Sequence, residues 1–280
     1  MRVIRGRRAV VTGAASGIGR AIGRALAAEG ADLFLIDRDA EGLITAVREA
    51  AAYGVEARFA VCDLAIAEEI ARTIGQVLAL WDGVHILANC AGVARFGAFH
   101  LATEQEWRRL MAVNLMAPMQ IVHGLLGALL IADEAHVLNV CSIMGLVSHR
   151  KLPIYQASKF GLVGFTLALR NDYHRENFGV TALCPGFVHT PLLDKLTDPE
   201  RHKLPPTVPA LLMTTADKVA VAAISAIRHN KGLVVLTPLA KAIWWGTRLS
   251  PAIAGWIARE GWRARGRIER ASEADHGGSE

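Results

Sequence analysis

The stretch Y-Q-A-S-K contains Tyr155 and Lys159, and Ser142 lies thirteen residues before the tyrosine. If this segment is helical, residues four apart share one face, which places a phenol beside an ammonium group. The pKa of an unperturbed tyrosine is about 10, and a nearby cation lowers it by favouring the phenolate. Such a pair suits proton transfer near neutral pH, and Ser142 can hydrogen-bond a substrate oxygen. Taken alone, the pair could also be an exposed tyrosine and lysine at helical spacing.

A glycine-rich loop, T-G-A-A-S-G-I-G, follows a short apolar strand predicted at 8–12 and precedes an alanine-rich helix that ends near Gly30. Gly13 permits a tight turn, Gly17 a close backbone approach, and Gly19 close packing of the helix on the strand. The first amides of the helix then face a pyrophosphate. Because the loop lies between a strand and a helix, it indicates a dinucleotide site.

The next predicted strand ends at Asp37, about 20 residues beyond the loop, where an acid accepts hydrogen bonds from the adenosine ribose. Asp37 would repel a 2′-phosphate, and Ala15 and Ser16 in the loop are not basic, so the sequence favours NAD over NADP. Arg38 leaves NADP as an alternative cofactor, because an arginine at this position can bind the 2′-phosphate. As a plainer alternative, Asp37 could cap the following helix.

Strands and helices alternate along the rest of the chain. Further strands are predicted at 57–62, 84–88, 136–141, 180–184 and near 233–236, and helices at 40–53, 66–80, 103–130 and 153–176. This alternation predicts an α/β fold, a single doubly wound parallel sheet with helices on both faces. Ligands bind at the carboxyl edge of such a sheet. Candidate residues at that edge are Gly13, Asp37, Asp63, Asn89, Ser142 and Pro185.

A chain of 280 residues can form a full single-domain core. The sequence contains no uncharged run of 18 consecutive apolar residues, so no membrane span is expected. The N-terminus enters a strand almost at once and leaves no room for a signal peptide, which predicts a cytoplasmic protein. The cysteines form no C-x-x-C pair, so they are expected to be buried thiols and no metal site is predicted. They are Cys62, Cys90, Cys141 and Cys184.

The net charge of +5 arises in an extension at 239–270, where seven basic residues face two acidic ones, an excess of five. The body is therefore near neutral, which argues against a nucleic-acid enzyme. The extension contains Trp244, Trp245, Trp256 and Trp262, and Pro251 divides it into two short helical pieces. Aromatic residues among lysines and arginines suit a peripheral membrane contact. They equally suit a helix packed on a partner subunit. The polar end at 271–280 is expected to be disordered.

Together, these motifs resemble the classical short-chain dehydrogenases/reductases over about residues 7–237. The pieces that carry the resemblance are T-G-A-A-S-G-I-G, Asp37, C-D-L at 62–64, N-C-A-G at 89–92, V-N-L around Asn114, Ser142, Y-Q-A-S-K and P-G-F-V-H-T. The resemblance implies a Rossmann fold in a domain at 1–238 and a homodimer or homotetramer. It also implies an NAD(P)-dependent oxidoreductase that interconverts a secondary alcohol and a ketone. Cys90 departs from the family, which more often has a second asparagine there.

By this resemblance, Asn114, Ser142, Tyr155 and Lys159 form a catalytic tetrad. Tyr155 is the general acid/base, Lys159 lowers its pKa and holds the nicotinamide ribose, and Ser142 orients the substrate oxygen. Asn114 keeps a water that links Lys159 to solvent, although it could instead be a buried polar residue satisfied within a kinked helix. The resemblance assigns the cofactor contacts to Gly13, Ser16, Gly17, Ile18, Gly19, Asp37, Arg38, Asp63, Leu64, Asn89, Ala91, Gly92, Tyr155, Lys159, Pro185, Gly186, Val188 and Thr190. Within this set, Asp63 would meet the adenine and Asn89 the adenosine side of the cofactor, although both residue types also favour turns at strand ends.

Two segments are expected to set substrate specificity, a loop at 143–153 and a lid near 187–213. The lid is rich in leucine, which suggests a lipophilic substrate such as a steroid, a terpenoid or a fatty chain. The same leucines could be core, since apolar lining is normal in any small-molecule pocket. His149 and Arg150 could meet a charged substrate group or be solvated. A non-catalytic dinucleotide sensor or interaction protein is the competing interpretation, and the complete set of four tetrad residues argues against it.

Overall fold

The computed structural model describes residues 1–148, 151–173, 177–190, 192 and 213–249. The strands are β1 Arg8–Thr12, β2 Asp32–Asp37, β3 Ala57–Val61, β4 Ile86–Asn89, β5 Ala135–Val140, β6 Phe178–Cys184, β7 Phe187–His189, β8 Met213–Thr215 and β9 Leu233–Val235. The helices are α1 Gly17–Ala28, α2 Ala40–Ala51, α3 Ala67–Leu80, α4 Glu104–Met111, α5 Ala117–Ile131, α6 Pro153–Asp172, α7 Ala216–Arg228 and α8 Pro238–Leu249. Sequence patterns located most of these elements and missed α7, β7 and β8.

The central sheet has seven parallel strands in the order β3-β2-β1-β4-β5-β6-β9, which confirms the predicted doubly wound α/β fold. The chain runs outwards from β1 in both directions, so the strand order reverses between β1 and β4. The register pairs Thr12 with Asn89, and Asn89 with Asn139. The carboxyl ends of β1, β4 and β5 therefore meet at one edge. β7 and β8 form a separate two-stranded sheet.

Helices cover both faces of the sheet. One core cluster joins α1, α2 and α7 to the sheet through residues such as Leu26, Leu43 and Ile227. A second joins α3 and α5 to the opposite face through residues such as Val77 and Leu125. All of β4 is buried, as expected for a parallel strand covered on both sides. The sheet edge that bears the candidate residues is thus fixed by a rigid core.

The helix predicted at 103–130 consists of two α-helices joined by a π-helical turn at Ala112–Met116. Thr103 begins α4 with a capping box that involves Glu106. Pro118 at the start of α5 has no amide hydrogen, so the carbonyl of Asn114 lacks its ordinary α-helical donor. The local widening to a π turn follows from this loss, and it places Asn114 at an irregular point of the helix.

The continuous helical stretch Glu104–Ile131 is long and apolar enough to cross a membrane, with a mean hydropathy of 1.5 in its most apolar window. The sequence predicts no membrane-spanning segment, but by length and composition alone this helix could be one. Core helices pass the same test. In the structure, Ile121, Leu125 and Leu129 of α5 are buried in the cluster that faces the sheet and α3. We therefore interpret the stretch as a core helix.

The extension at 239–270 begins within α8, which directly follows β9. Ala240 is buried, and Ile243 and Trp244 pack against the cluster that contains residues of β6 and α6. The described part of the extension is therefore attached to the body. His149, Arg150, most of the predicted lid and residues 250–280, with Pro251, Trp256 and Trp262, lie outside the described residues.

Candidate active site

The glycine-rich loop adopts backbone conformations that need glycine. Gly13 and Gly17 have φ angles of +66° and +53°. A Cβ on Gly13 would lie 2.7 Å from backbone atoms of Ala91, and one on Gly19 would lie 2.1 Å from the carbonyl oxygen of Gly13. Ser16 is the N-cap of α1, its side chain makes no capping bond, and the first turn has no acid. This cradle at a helix N-terminus fits the pyrophosphate of NAD(P).

Asp37 holds the turn beside this cradle. Its Oδ2 accepts a hydrogen bond from the amide of Ala15 at 3.1 Å. Its Oδ1 accepts from the amides of Arg38 at 2.7 Å and Asp39 at 3.2 Å. The alternative that Asp37 caps the next helix is wrong, because Asp39 is the N-cap of α2 and its side chain accepts from the amide of Gly42. Asp37 therefore faces the region between the loop and the end of β2.

The strand β4 ends in a polar network that sequence reasoning did not include. Thr12 Oγ1 accepts from the amides of Cys90 at 3.1 Å and Ala91 at 3.2 Å. Asn89 Nδ2 donates to Asn139 Oδ1 at 2.8 Å, and Asn139 Nδ2 donates to Thr166 Oγ1 at 2.9 Å. These bonds tie the loop after β4 to β1, β5 and α6. An asparagine inside an apolar strand, V-L-N-V, was the sequence signal for Asn139.

Ser142, Tyr155 and Lys159 meet beyond the end of β5. Ser142 Oγ accepts from the amide of Met144 at 3.1 Å, which starts a 3₁₀ turn. The hydroxyl of Ser142 lies near the phenol of Tyr155 and favours the ionised form of that phenol. Lys159 Nζ donates to the carbonyl of Val140 at 2.9 Å and lies 5.9 Å from the ring centroid of Tyr155. The helix α6 thus presents the phenol and the ammonium group on the face towards Ser142.

Asn114 connects the loop after β4 to α6. Its Oδ1 accepts from the amide of Val93, and its Nδ2 donates to the carbonyl of the same residue, both at 2.8 Å. Nδ2 also lies 3.1 Å from Ser158 Oγ, which donates to the carbonyl of Tyr155 at 2.7 Å. A Cβ on Gly92 would lie 3.5 Å from Asn114 Oδ1 and 3.6 Å from Lys159 Nζ. The buried amide is therefore satisfied by protein atoms, and its role in a water relay stays a prediction.

The protonation state of Tyr155 differs from the sequence expectation. Burial raises the pKa of Tyr155 to about 12, although its hydrogen bond with Ser142 opposes the shift. Burial also lowers the pKa of Lys159, against the influence of nearby thiols. A low-dielectric environment disfavours both charged forms, and the ammonium group is directed at Val140 rather than at the phenol oxygen. Burial therefore outweighs the charge of Lys159 at Tyr155, and a lowering of the pKa of Tyr155 by Lys159 together with an oxidised nicotinamide stays a prediction.

The cysteines are free thiols. Cys141 and Cys184 are buried, and both thiols influence the pKa of Lys159. Cys90, in the loop after β4, has a pKa raised to about 12 by burial. Among the described residues, no group of His, Cys, Asp or Glu side chains could hold a metal ion.

The remaining cofactor candidates line the same edge. Pro185 accepts from the amide of Ile143 at 2.9 Å, so the P-G-F-V-H-T segment is joined to the turn that follows Ser142. Val188 in β7 and Thr190 are both buried. Ile18 and Gly186 are half-buried, and Leu64 is buried beyond β3. The predicted cofactor residues that the structure describes thus lie along the carboxyl edge of the sheet.

The family model for short chain dehydrogenases matches residues 7–201. Nodulation protein G from a Rhizobium species is 31% identical over 231 residues, which cover 82% of this chain and 92% of that protein. The chain therefore belongs to the short-chain dehydrogenase family, as its motifs predict. It is an oxidoreductase of the class that acts on CH–OH and C=O groups.

Two solved structures share the fold along most of their length. A short-chain dehydrogenase/reductase from Burkholderia phymatum in complex with NAD has a TM-score of 0.78 and 27% identity, covering 89% of this chain and 95% of its own. An actinorhodin polyketide ketoreductase variant with NADPH has a TM-score of 0.75 and 28% identity, covering 84% and 97%. Members of the class thus bind NAD or NADP.

Proposed function

We propose that this protein uses NAD to interconvert a lipophilic secondary alcohol and the corresponding ketone. One observation carries the proposal: the hydroxyls of Ser142 and Tyr155 lie near each other, with Lys159 beside the phenol ring, at the sheet edge that also holds the glycine cradle. A substrate oxygen placed between these hydroxyls would meet two donors. When bound, the nicotinamide supplies or accepts the hydride, and the protein handles the proton.

In ketone reduction, Tyr155 donates its proton to the carbonyl oxygen while Ser142 hydrogen-bonds that oxygen. The raised pKa of Tyr155, about 12, keeps the phenol protonated and ready for this direction. In alcohol oxidation, Tyr155 must accept the hydroxyl proton as a phenolate, which the positive charge of Lys159 favours. Oxidation should therefore accelerate as the pH rises.

The preference for NAD is supported by Asp37. Both of its carboxylate oxygens accept backbone amides, which fixes the acid beside the cradle. A fixed negative charge there accepts from ribose hydroxyls and repels a 2′-phosphate. Arg38 is the opposing feature, since its guanidinium could bind that phosphate. Asp37→Ala should therefore raise the KM for NAD and lower the KM for NADP, and an unchanged ratio would contradict the assignment.

The lipophilic substrate is supported by the side chains around Tyr155. The partly buried apolar residues of this region pack against a common cluster. They are Leu146, Leu152, Phe187, Ile243 and Trp244, together with Tyr155 itself. A site with this lining favours apolar ligands with a single polar group at the reacting carbon. The helix α8 contributes two of these residues, so the extension packs against the same cluster as Tyr155.

Absorbance of NADH with purified protein, NAD and a panel of sterols, terpenols and long-chain secondary alcohols tests the proposal. Turnover should require NAD and be abolished by Tyr155→Phe, which removes the proton carrier but keeps the ring. Cofactor binding should be retained in that variant. Turnover with NADP alone would refute the NAD preference. Cofactor binding without turnover of any alcohol would favour the non-catalytic sensor.

We further propose that α8 rests on an anionic membrane surface. Trp245 and Leu249 are 57% and 79% exposed on its outer face, beside exposed Lys241 and Arg248. The helix has no acidic residue, and five arginines follow in the sequence up to residue 270. Exposed aromatic and aliphatic side chains flanked by cations match the interface of an anionic bilayer. A lipophilic substrate could then enter from the membrane beside Trp244.

Sedimentation with phosphatidylcholine vesicles, with and without phosphatidylserine, tests this surface. Binding should require phosphatidylserine. Lys241→Ala combined with Arg248→Ala should weaken it about thirtyfold, since each basic residue near the surface contributes about 1 kcal/mol. Arg58→Ala combined with Arg108→Ala is the matched control, because it also removes two exposed cations, which lie on β3 and α4. An equal loss of vesicle binding in both double variants would refute the proposal that α8 contacts the membrane.

We propose a homo-oligomer in the cytoplasm. Met116 and Phe160 are 46% and 44% exposed on the helical segments around Asn114 and Tyr155. Such side chains on adjacent helices suit an interface between copies of the chain. Light scattering after gel filtration should give a dimer or a tetramer that dissociates in a Phe160→Glu variant, and a monomeric wild-type protein would contradict the assembly.

A further inference from the structure

Asp63, which lies two residues after β3, is held by an arginine from a distant element. Arg109 of α4 places Nη2 3.0 Å from Asp63 Oδ2 and 3.3 Å from Oδ1. Oδ1 also accepts from the amide of Ala65 at 2.9 Å. The amide of Asp63 itself donates to Glu69 Oε2 at 2.7 Å, which anchors the backbone to α3. Both the backbone and the carboxylate are therefore fixed.

The carboxylate remains ionised despite partial burial. Burial would raise the pKa of Asp63, but the Ala65 amide and Arg109 outweigh it, so the pKa is lowered. An ionised carboxylate has about four lone-pair positions. Ala65 and Arg109 use both positions on Oδ1, and Arg109 uses one on Oδ2. One position on Oδ2 remains for a donor such as the amino group of an adenine.

Arg109 also connects this acid to the catalytic side. It lies in the last turn of α4, which passes directly into the π turn that contains Asn114. Glu106 of the same helix pairs with Arg95 of the loop after β4 at 3.2 Å. The helix that presents Asn114 is thus attached to Asp63 by one ion pair and to the loop after β4 by another.

We propose that Arg109 is a positioning residue that orients the carboxylate of Asp63 towards the adenine of the dinucleotide. The inference rests on the proposed cofactor binding. It adds the residue that holds Asp63 in the orientation needed to accept a hydrogen bond from the adenine. Arg109 acts through Asp63 and touches no reacting atom. Its loss leaves an ionised acid free to rotate away from the single position that an adenine amino group can use.

The test compares Arg109→Ala and Arg109→Lys with Arg108→Ala. Arg108 is the matched control because it is adjacent on α4 and forms its ion pair with exposed Glu104, one turn away. Affinity for NADH, AMP and nicotinamide mononucleotide is measured by calorimetry. Arg109→Ala should weaken NADH and AMP binding about tenfold, the effect of misplacing one hydrogen bond to a charged group. Nicotinamide mononucleotide should bind unchanged, and kcat at saturating NAD should stay within about twofold.

The lysine variant should restore part of the AMP affinity, since it keeps the charge but not the forked geometry. Melting temperatures without ligand should be alike in Arg109→Ala and Arg108→Ala, because partly exposed ion pairs contribute little to stability. If Arg109→Ala binds AMP as the wild type does, or if Arg108→Ala loses as much affinity, the inference is wrong. The proposed cofactor binding would still hold in that case, provided that the wild type binds NADH. Wild-type protein that binds neither NADH nor AMP would overturn the proposed function and the inference together.

Discussion

His136 should make the stability of this protein depend strongly on pH. It lies buried in β5, the strand that leads to Ser142. Its Nε2 is 2.8 Å from Thr181 Oγ1, whose own hydrogen is donated to the carbonyl of Lys231. Nε2 must therefore carry the ring proton, and the second proton of an imidazolium would need Nδ1. Burial, followed by the charges of the chain N-terminus and Arg170, lowers the pKa of His136 to about 3.

The sign and the size of the effect follow from linkage. The ordinary pKa of histidine is about 6.5, so the unfolded chain binds more protons than the folded protein between pH 3 and pH 6.5. The stability from the neutral ring is fully present above about pH 6.5 and is lost as the pH falls, by about 1.36 kcal/mol per unit. At pH 5 the loss is about 2 kcal/mol, and it approaches about 5 kcal/mol near pH 3.

Urea denaturation at pH 7 and pH 5 measures this loss in the wild type, His136→Asn and His123→Asn. Asparagine keeps a donor for Thr181 but does not titrate, so the pH-dependent difference should shrink by about 2 kcal/mol in His136→Asn. His123 is exposed on α5, and its variant should behave like the wild type. Other groups contribute equally to all three proteins. The same pH-dependent loss in His136→Asn and the wild type would refute the assignment of the effect to His136.

Gly19→Ala should abolish NADH binding, because its Cβ would lie 2.1 Å from the carbonyl oxygen of Gly13, whereas Gly75→Ala in open space on α3 should bind normally by calorimetry. Asn114→Leu should cost about 2–4 kcal/mol of unfolding free energy in urea, since both backbone groups of Val93 lose their buried partner. A cost below about 1 kcal/mol would contradict that contact. With the raised pKa of Tyr155, initial rates of alcohol oxidation should climb with pH to at least pH 9. A rate that levels off near pH 7 would show that the pKa of Tyr155 in the reacting complex is close to 7, which would contradict this prediction.

The glycine-rich loop, the strand that ends at Asp37 and the Tyr155–Lys159 spacing could be predicted because each depends on local geometry. A strand, a glycine turn and a helix N-terminus are neighbours along the chain, and residues four apart share a helix face. Alternating strands and helices likewise predicted the parallel sheet, whose carboxyl edge gathers residues that lie far apart in sequence. The family pattern around Asn114 and Ser142 completed the candidate site.

Other features depend on contacts between distant segments. Nothing adjacent in sequence indicates that Arg109 pairs with Asp63 or that Asn139 holds Asn89. The π turn had a local cause in Pro118, but its place in the helix also depends on how Asn114 binds Val93. The pKa of Tyr155 depends on the tertiary structure for a related reason: the sequence supplies a lysine beside the phenol, but it does not show how far both groups are buried.

By itself, the sequence determined the class of fold, the order of its elements and the residue types that handle a dinucleotide and a proton. These follow from short-range stereochemistry and from apolar periodicity, which act along the chain. Only the tertiary structure decided which charges are desolvated, which polar groups pair across the sheet, and that α8 packs against the same core cluster as Tyr155. Burial and long-range pairing set pKa values and side-chain orientation, because the local dielectric and the available partners exist only in the folded protein.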